Sequence, residues 1–289
     1  MLPGRFEYAV PASLEEAIGL LQKKNGAIPF AGGHSLLVGM RLGRLSPAVL
    51  VDLRKIEALH GIRRGEQGVS IGAMVTHARI ADDEGVRNVC PALADAVDQI
   101  ADPEVRNRAT IGGSLARNDP AADVPAVALA LDARIEIAGS AGTRRVAVDD
   151  FFTGPFEVVL GADDIITQVL FPGSSGAVGS AYEKFKNSAN GFALCGVGVR
   201  MRLAADGTSE DCRVAATGVS NRAIRLPAVE KACTGVVPSA ESISEAAGHC
   251  SEGVEFVSDK FASATYRAHL CALHTERALH RAQKRAAGT

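Results

Sequence analysis

AIPFAGGHS, residues 27 to 35, runs a short β-prone segment straight into a pair of glycines, and that junction decides how the N-terminal half is read. Upstream, Ser13 and Glu16 have capping-box spacing, Leu14, Ala17, Ile18 and Leu21 share one face, and Lys23, Lys24, Asn25 and Gly26 supply stop signals; the pattern predicts a helix. Downstream, AVLVDL (48–53) predicts a second strand and the alternation of GVSIGA (68–73) a third. Helix and strand therefore interleave. Thr76 opens another helix and Pro91 stands where a first-turn proline belongs. The next stretch, ADPEVRNRATIGGSLARNDPAADVP (101–125), is irregular, polar and glycine-containing, and reads as a functional loop.

RIEIAG (134–139) and DDIITQVLFP (163–172) predict further strands, ending at Gly173, Ser174, Ser175, Gly176, a small-residue break that divides the chain into domains 1–175 and 176–289. Beyond it Ala181 to Lys186, Phe192 to Leu203 and Cys212 to Val219 read as three strands, the last two joined at the Asp206-Gly207 turn signal. Helical patterns follow from about Pro227, Ser239 and Ser263, so the second unit is expected to be α+β, a three-stranded antiparallel sheet packed on helices. The basic tail, Arg281 to Ala287, reads as a frayed helix end.

Bulk properties narrow the function classes. The 289 residues are 47% hydrophobic and carry 31 basic against 33 acidic side chains in no long runs, which gives no electrostatic footprint for nucleic acid or an anionic membrane. No stretch of eighteen apolar residues occurs and the first ten residues lack a signal-peptide core, so a cytoplasmic location is expected. Six scattered cysteines include no C-x-x-C pair that could cage zinc or an iron–sulfur cluster.

Paired glycines permit positive φ and leave no Cβ between a ligand and the backbone amides. One such pair lies in Ala31, Gly32, Gly33, His34, Ser35; a second lies in Thr110, Ile111, Gly112, Gly113, Ser114. Two phosphate-grade bends suit a diphosphate better than a single phosphoryl group, and Ser35, Thr110 and Ser114 add hydroxyl donors. The dinucleotide fingerprint G-x-G-x-x-G and the P-loop ending Gly-Lys-Ser/Thr are both missing.

Read jointly, AGGHSLLVGMRLG (31–43), SIGAMVTHARI (70–80), PEVRNRATIGGSLARNDPAADVPAVALALDARIEI (103–137), DDFFTGPFEVVLGADDIIT (149–167) and YEKFK (182–186) resemble the FAD-binding medium subunit of the xanthine dehydrogenase and carbon monoxide dehydrogenase family. The resemblance implies a two-lobed FAD-binding domain of the vanillyl-alcohol-oxidase (PCMH) type, followed by a small C-terminal flavoprotein domain. It implies noncovalent FAD, with Ala31, Gly32, Gly33, His34, Ser35 and Leu36 and with Thr110, Ile111, Gly112, Gly113 and Ser114 around the diphosphate. Asn118 and Asp123 match polar positions beyond the second bend, and Lys184 matches a basic residue close to the flavin. It further implies an iron–sulfur small subunit carrying [2Fe-2S] clusters and a molybdopterin large subunit, assembled as a dimer of heterotrimers, a heterohexamer. This chain then transfers electrons from the clusters to an external acceptor and has no catalytic acid or base of its own.

After KFK the chain reads NSANGFAL (187–194) where the family shows an arginine-rich stretch, and Val158 and Val159 stand where relatives carry threonine. His34 can be a covalent anchor or a simple contact. Asp102, Glu104, Arg106 and Arg108 form either a self-paired loop or a flavin support, and Asp123 either a helix cap or a ligand contact. His269, His274 and His280 fall on a helix expected to face solvent, at spacings that stack no metal site. A self-sufficient flavin oxidase and a scaffold without FAD are the rival functions. The organic substrate (CO, an N-heterocycle, an aldehyde or an aromatic thioester) and the acceptor (NAD, a quinone, a cytochrome or oxygen) stay open.

Overall fold

A computed structural model describes residues 4–65, 67–173 and 175–288, which leaves Ser174 of the small-residue break outside the described residues. In chain order the first part comprises β1 Glu7–Ala9, α1 Leu14–Lys23, β2 Ala27–Phe30, α2 Leu36–Arg41, β3 Val49–Asp52, β4 Ile62–Gly65 and β5 Gly68–Gly72. It continues with α3 His77–Ala81, α4 Glu84–Val89, α5 Pro91–Asp98, α6 Pro103–Arg106, α7 Ile111–Arg117 and α8 Asp123–Ala130. After these come β6 Arg134–Gly139, β7 Gly142–Ala147, α9 Val148–Phe151, β8 Phe152–Gly154, β9 Glu157–Val158 and β10 Ile165–Pro172. The last part holds β11 Ala177–Lys186, β12 Ala193–Leu203, β13 Ser209–Thr217, β14 Ile224–Arg225, α10 Pro227–Cys233, α11 Ala240–Gly248 and α12 Ala264–Ala286.

β1, β3 and β2 form a parallel three-stranded sheet, in that order. β3 reads VLVD and is buried at every position, as a central parallel strand must be. A second sheet, β4-β5-β10-β6-β7, is antiparallel throughout. α1 starts where expected, with Ser13 Oγ accepting from the Glu16 amide, but the capping box is displaced: the Glu16 carboxylate accepts from the Ala12 amide instead of that of Ser13. The segment 101–125 is not a plain loop. It contains α6, α7 and the first turn of α8, because Asp102 and Thr110 each cap a helix that the glycines and prolines nearby obscure. Arg106 donates to the carbonyls of Ile100 and Ala101.

The C-terminal sheet has four strands, β11-β12-β13-β14, rather than three; β14 is two residues long and too short to leave an alternation signal. Both faces of this sheet are covered, and alternation along β11 explains how: Ala181 joins the core beneath α12, whereas Tyr182 joins the core that contains α8. α8 is buried on all sides, as the apolar run from Val124 to Ala130 requires.

α12 does not fray. Arg281 and Arg285 both reach the Asp95 carboxylate of α5, at 2.8 and 2.6 Å, and Ala282 and Ala286 are buried. His274 on this helix is buried rather than solvent-facing, and both ring nitrogens lack a partner, while His269 is exposed. Asp95→Ala takes from two guanidinium groups the carboxylate they share, leaving Arg281 with Glu183 and Arg285 with the Ser180 carbonyl, and is expected to cost about 2 kcal/mol, read as a lowered urea midpoint with an unchanged m-value.

Candidate functional site

The first glycine bend leaves β2 and turns at Gly33, whose φ of +83° puts it in the left-handed region. The second is laid against the segment after β5 by backbone hydrogen bonds: His77 N–H to Ala109 O at 3.0 Å, Ile111 N–H to Val75 O at 3.1 Å and Gly112 N–H to Ala73 O at 3.0 Å. Thr110 then caps α7, its Oγ1 accepting from the Gly113 amide at 3.1 Å. The two bends abut. A Cβ on Gly32 would stand 2.8 Å from Ala109 Cα and 2.9 Å from the Arg108 carbonyl carbon, so only glycine allows this approach.

Between them opens a cleft of about 490 Å³, a size ordinary for a cofactor site (~300–1,000 Å³). Ala31, Gly32, Gly33, His34, Ser35 and Leu36 line it from one side, Thr110, Gly113 and Ser114 from the other, and Asp123 reaches it. His34 and Ser35 are exposed at the rim. The far wall comes from Ile100, Ala101, Val105 and the segment Asn190, Gly191, Phe192, with Arg117 and Asp119 adding charge. A second recess, of about 590 Å³, is lined by Arg222 and Arg225, but it has no paired-glycine bend and Arg225 already pairs with Glu230 and Asp132.

Four expected site residues do not face the cleft. Ile111 and Gly112 are core: Gly112 turns toward Ala73, where a Cβ would lie 2.6 Å from the alanine methyl. Asn118 is fully buried at the left-handed end of α7, and its amide donates to Gly154 O (2.8 Å) and Glu157 O (2.9 Å), stapling the chain that follows. Lys184 is sealed within the protein, its ammonium donating to Asp123 Oδ2 (2.9 Å), Gly191 O (2.7 Å) and Gln99 O (3.2 Å). Strand alternation puts Lys184 on the same face of β11 as Tyr182, whose hydroxyl donates to Asp123 Oδ1 at 2.5 Å.

Asp123 consequently does not cap α8; the capping position is Ala122, and the carboxylate is spent on Tyr182 and Lys184. Burial holds Asp123 above the ordinary carboxylate range despite the lysine charge, and pushes the Tyr182 hydroxyl well up. The NSANG segment forms a tight loop, Gly191 N–H bonding to Asn187 O at 2.8 Å, which brings Asn190, Gly191 and Phe192 to the cleft. Val158 and Val159 pack on the core instead.

Sequence reasoning also passed over His77. It lines the cleft although only 2% of its surface is exposed. Burial pushes the imidazole down to about 4 from 6.5. A base whose folded pKa is lowered takes up its proton more readily when unfolded, so stability is complete above about pH 6.5 and falls as pH drops toward about 4. The loss attributable to His77 is ~3 kcal/mol. His274, lowered by burial and then by the Arg277 charge, acts in the same sense. His77→Gln is therefore expected to flatten this acid limb in part, measured by urea unfolding between pH 4 and 7.

Residues 4–174 match the model for the FAD binding domain in molybdopterin dehydrogenase, and residues 180–282 that for the CO dehydrogenase flavoprotein C-terminal domain. The chain is 35% identical over 288 residues to the carbon monoxide dehydrogenase medium chain of Hydrogenophaga pseudoflava, covering 99% of this chain and 100% of that one. It is 36% identical over 260 residues to the nicotine 6-hydroxylase medium subunit of Paenarthrobacter nicotinovorans, covering 90% and 91%. The solved carbon monoxide dehydrogenase of H. pseudoflava superposes with a TM-score of 0.94 at 37% identity over 99% of both chains. Quinoline 2-oxidoreductase from Pseudomonas putida 86 gives 0.93 at 32% identity, again over 99% of both. A mixed helix and strand architecture, two abutting glycine bends on one cleft and matches along the whole length agree: the chain belongs to the FAD-binding medium subunits of the molybdenum hydroxylases, oxidoreductases of the xanthine and carbon monoxide dehydrogenase type.

Proposed function

We propose that this chain holds FAD noncovalently in the cleft, accepts electrons from the [2Fe-2S] clusters of a partner small subunit, and passes them to an external acceptor. The observation that carries this reading is the direct abutment of the two bends, which Gly32 permits and which puts both on the wall of one cleft where their amides can meet a diphosphate. Ala31 to Leu36 and Thr110, Gly113 and Ser114 would hold the diphosphate. Ile111 and Gly112 support that wall from behind, and Asn118 fixes the end of α7. Bound FAD supplies a ring that stores one or two electrons. Lys184 acts at one remove, holding Asp123 and Gly191 where they meet the cleft. No side chain is required as catalytic acid or base.

The finer picture is a PCMH-type, two-lobed FAD domain over residues 1–175 and a C-terminal flavoprotein domain over 176–289. The organic substrate is oxidised on a molybdopterin large subunit, in a heterohexamer built as a dimer of heterotrimers in the cytoplasm. The names of the relatives, medium chains and medium subunits, support a multi-subunit assembly. No described helix is long and apolar enough to cross a membrane. Purification of the native complex tests the reading: flavin, iron–sulfur and molybdenum are expected together. An iron-free complex that oxidises an organic substrate, or a chain that stays colourless after addition of FAD, overturns it.

A further inference from the structure

We infer that His77 is a hydrogen-bonding residue of the cofactor site, its Nε2 donating to an oxygen in the ribityl–diphosphate stretch of the dinucleotide. This rests on the reading of the cleft as the FAD site. The placement of the residue is fixed by the backbone: Thr76 bridges to Thr110, and the His77 amide donates to Ala109 O, so the imidazole starts beside the second glycine bend. Thr76 also caps α3 through a bond from the Arg79 amide to Oγ1, which holds the first turn in register.

The ring itself is unused by the protein. Nδ1 is sealed from solvent with no partner, whereas Nε2 is not sealed, and the side chain lines the cleft. A residue needed only to fill this space would be better as leucine, because each buried polar atom left unpaired is unfavourable. Burial keeps the imidazole uncharged at neutral pH, so it carries one N–H. With that proton on Nε2, the sealed Nδ1 presents only a lone pair, a smaller penalty than a sealed N–H without an acceptor. The cleft that the side chain lines is then where an acceptor can reach that proton. His34, by contrast, is exposed at the rim, where water competes for any bond it makes.

The test is FAD titration of the deflavinated full-length chain, followed by quenching of flavin fluorescence. His77→Leu is expected to weaken FAD binding about tenfold, the worth of one buried hydrogen bond. His77→Gln, whose side-chain amide reaches a similar position, is expected to restore most of that affinity. A second measurement needs no variant to bind: in wild-type protein labelled with 15N-histidine, the His77 Nε2 resonance, assigned by its absence from His77→Gln, is expected to move when FAD is added. Unchanged FAD affinity in folded His77→Leu, or an unmoved resonance at saturation, overturns the role of His77 alone. Failure of the wild-type chain to bind FAD sinks the cofactor site as well, and so separates the two.

Discussion

Gly32→Val is expected to release FAD while leaving the chain folded. The new Cβ would meet Ala109 Cα at 2.8 Å and the Arg108 carbonyl carbon at 2.9 Å, and these are backbone atoms that cannot rotate aside. The bends must separate, so the diphosphate would lose one of its two walls. A strain of ~1–3 kcal/mol of this kind weakens binding by up to about a hundredfold. Bound flavin per chain after desalting, with a titration for affinity, reads the effect. Gly33→Val adds left-handed strain and runs into the Phe30 ring, and Gly113→Val crowds Thr110 Oγ1 at 2.9 Å, so both are expected to lower flavin retention as well. Gly112→Val is the contrast: it presses on buried Ala73, and is expected to lower stability without a selective loss of FAD. A Gly32→Val protein as yellow as wild type would remove the two-wall cradle from consideration.

Lys184→Met is expected to give the largest loss of stability. The substitution leaves Asp123 buried without its cation and leaves the carbonyls of Gln99 and Gly191 without a donor. Breaking a sealed pair from one side typically costs ~3–5 kcal/mol, because the remaining carboxylate has neither water nor a cation and keeps only the Tyr182 hydroxyl. The loop bearing Asn190 to Phe192 would also lose an anchor, so weaker FAD binding should accompany the lower unfolding midpoint. The double variant Lys184→Met/Asp123→Leu removes the orphaned carboxylate and is expected to regain much of the stability but not the FAD affinity. If Lys184→Met unfolds at the wild-type urea concentration, the ion pair is not the clasp described above.

Local chemistry was legible wherever a signal lies within a few residues. The α1 cap at Ser13, strand β2 running into Gly32 and Gly33, Pro91 opening α5, and the hairpin at Asp206-Gly207 all follow from spacing and turn preference alone. Short elements were lost for the same reason. β14 has two residues and α6 has four, too few to display a period, and α7 hides behind glycines that elsewhere break helices. The fourth strand of the C-terminal sheet and the helical content of 101–125 were therefore missed.

By itself the sequence determined the kind of site: two glycine pairs able to bring backbone amides to a diphosphate, in an order along the chain that identifies the family. Which residues meet a ligand was decided only by the tertiary structure. Asp123 and Lys184 are 61 positions apart, yet they pair because α8 packs on β12 and β13, strands of the sheet that β11 belongs to, and the pairing turns the lysine inward. Asn118 is withdrawn into a backbone staple, and His77 is brought forward by the bridge between its neighbour Thr76 and Thr110. Burial and partner choice depend on the packing of distant segments, and a side chain's chemistry in a fold depends on whether water or another part of the chain meets its polar atoms first.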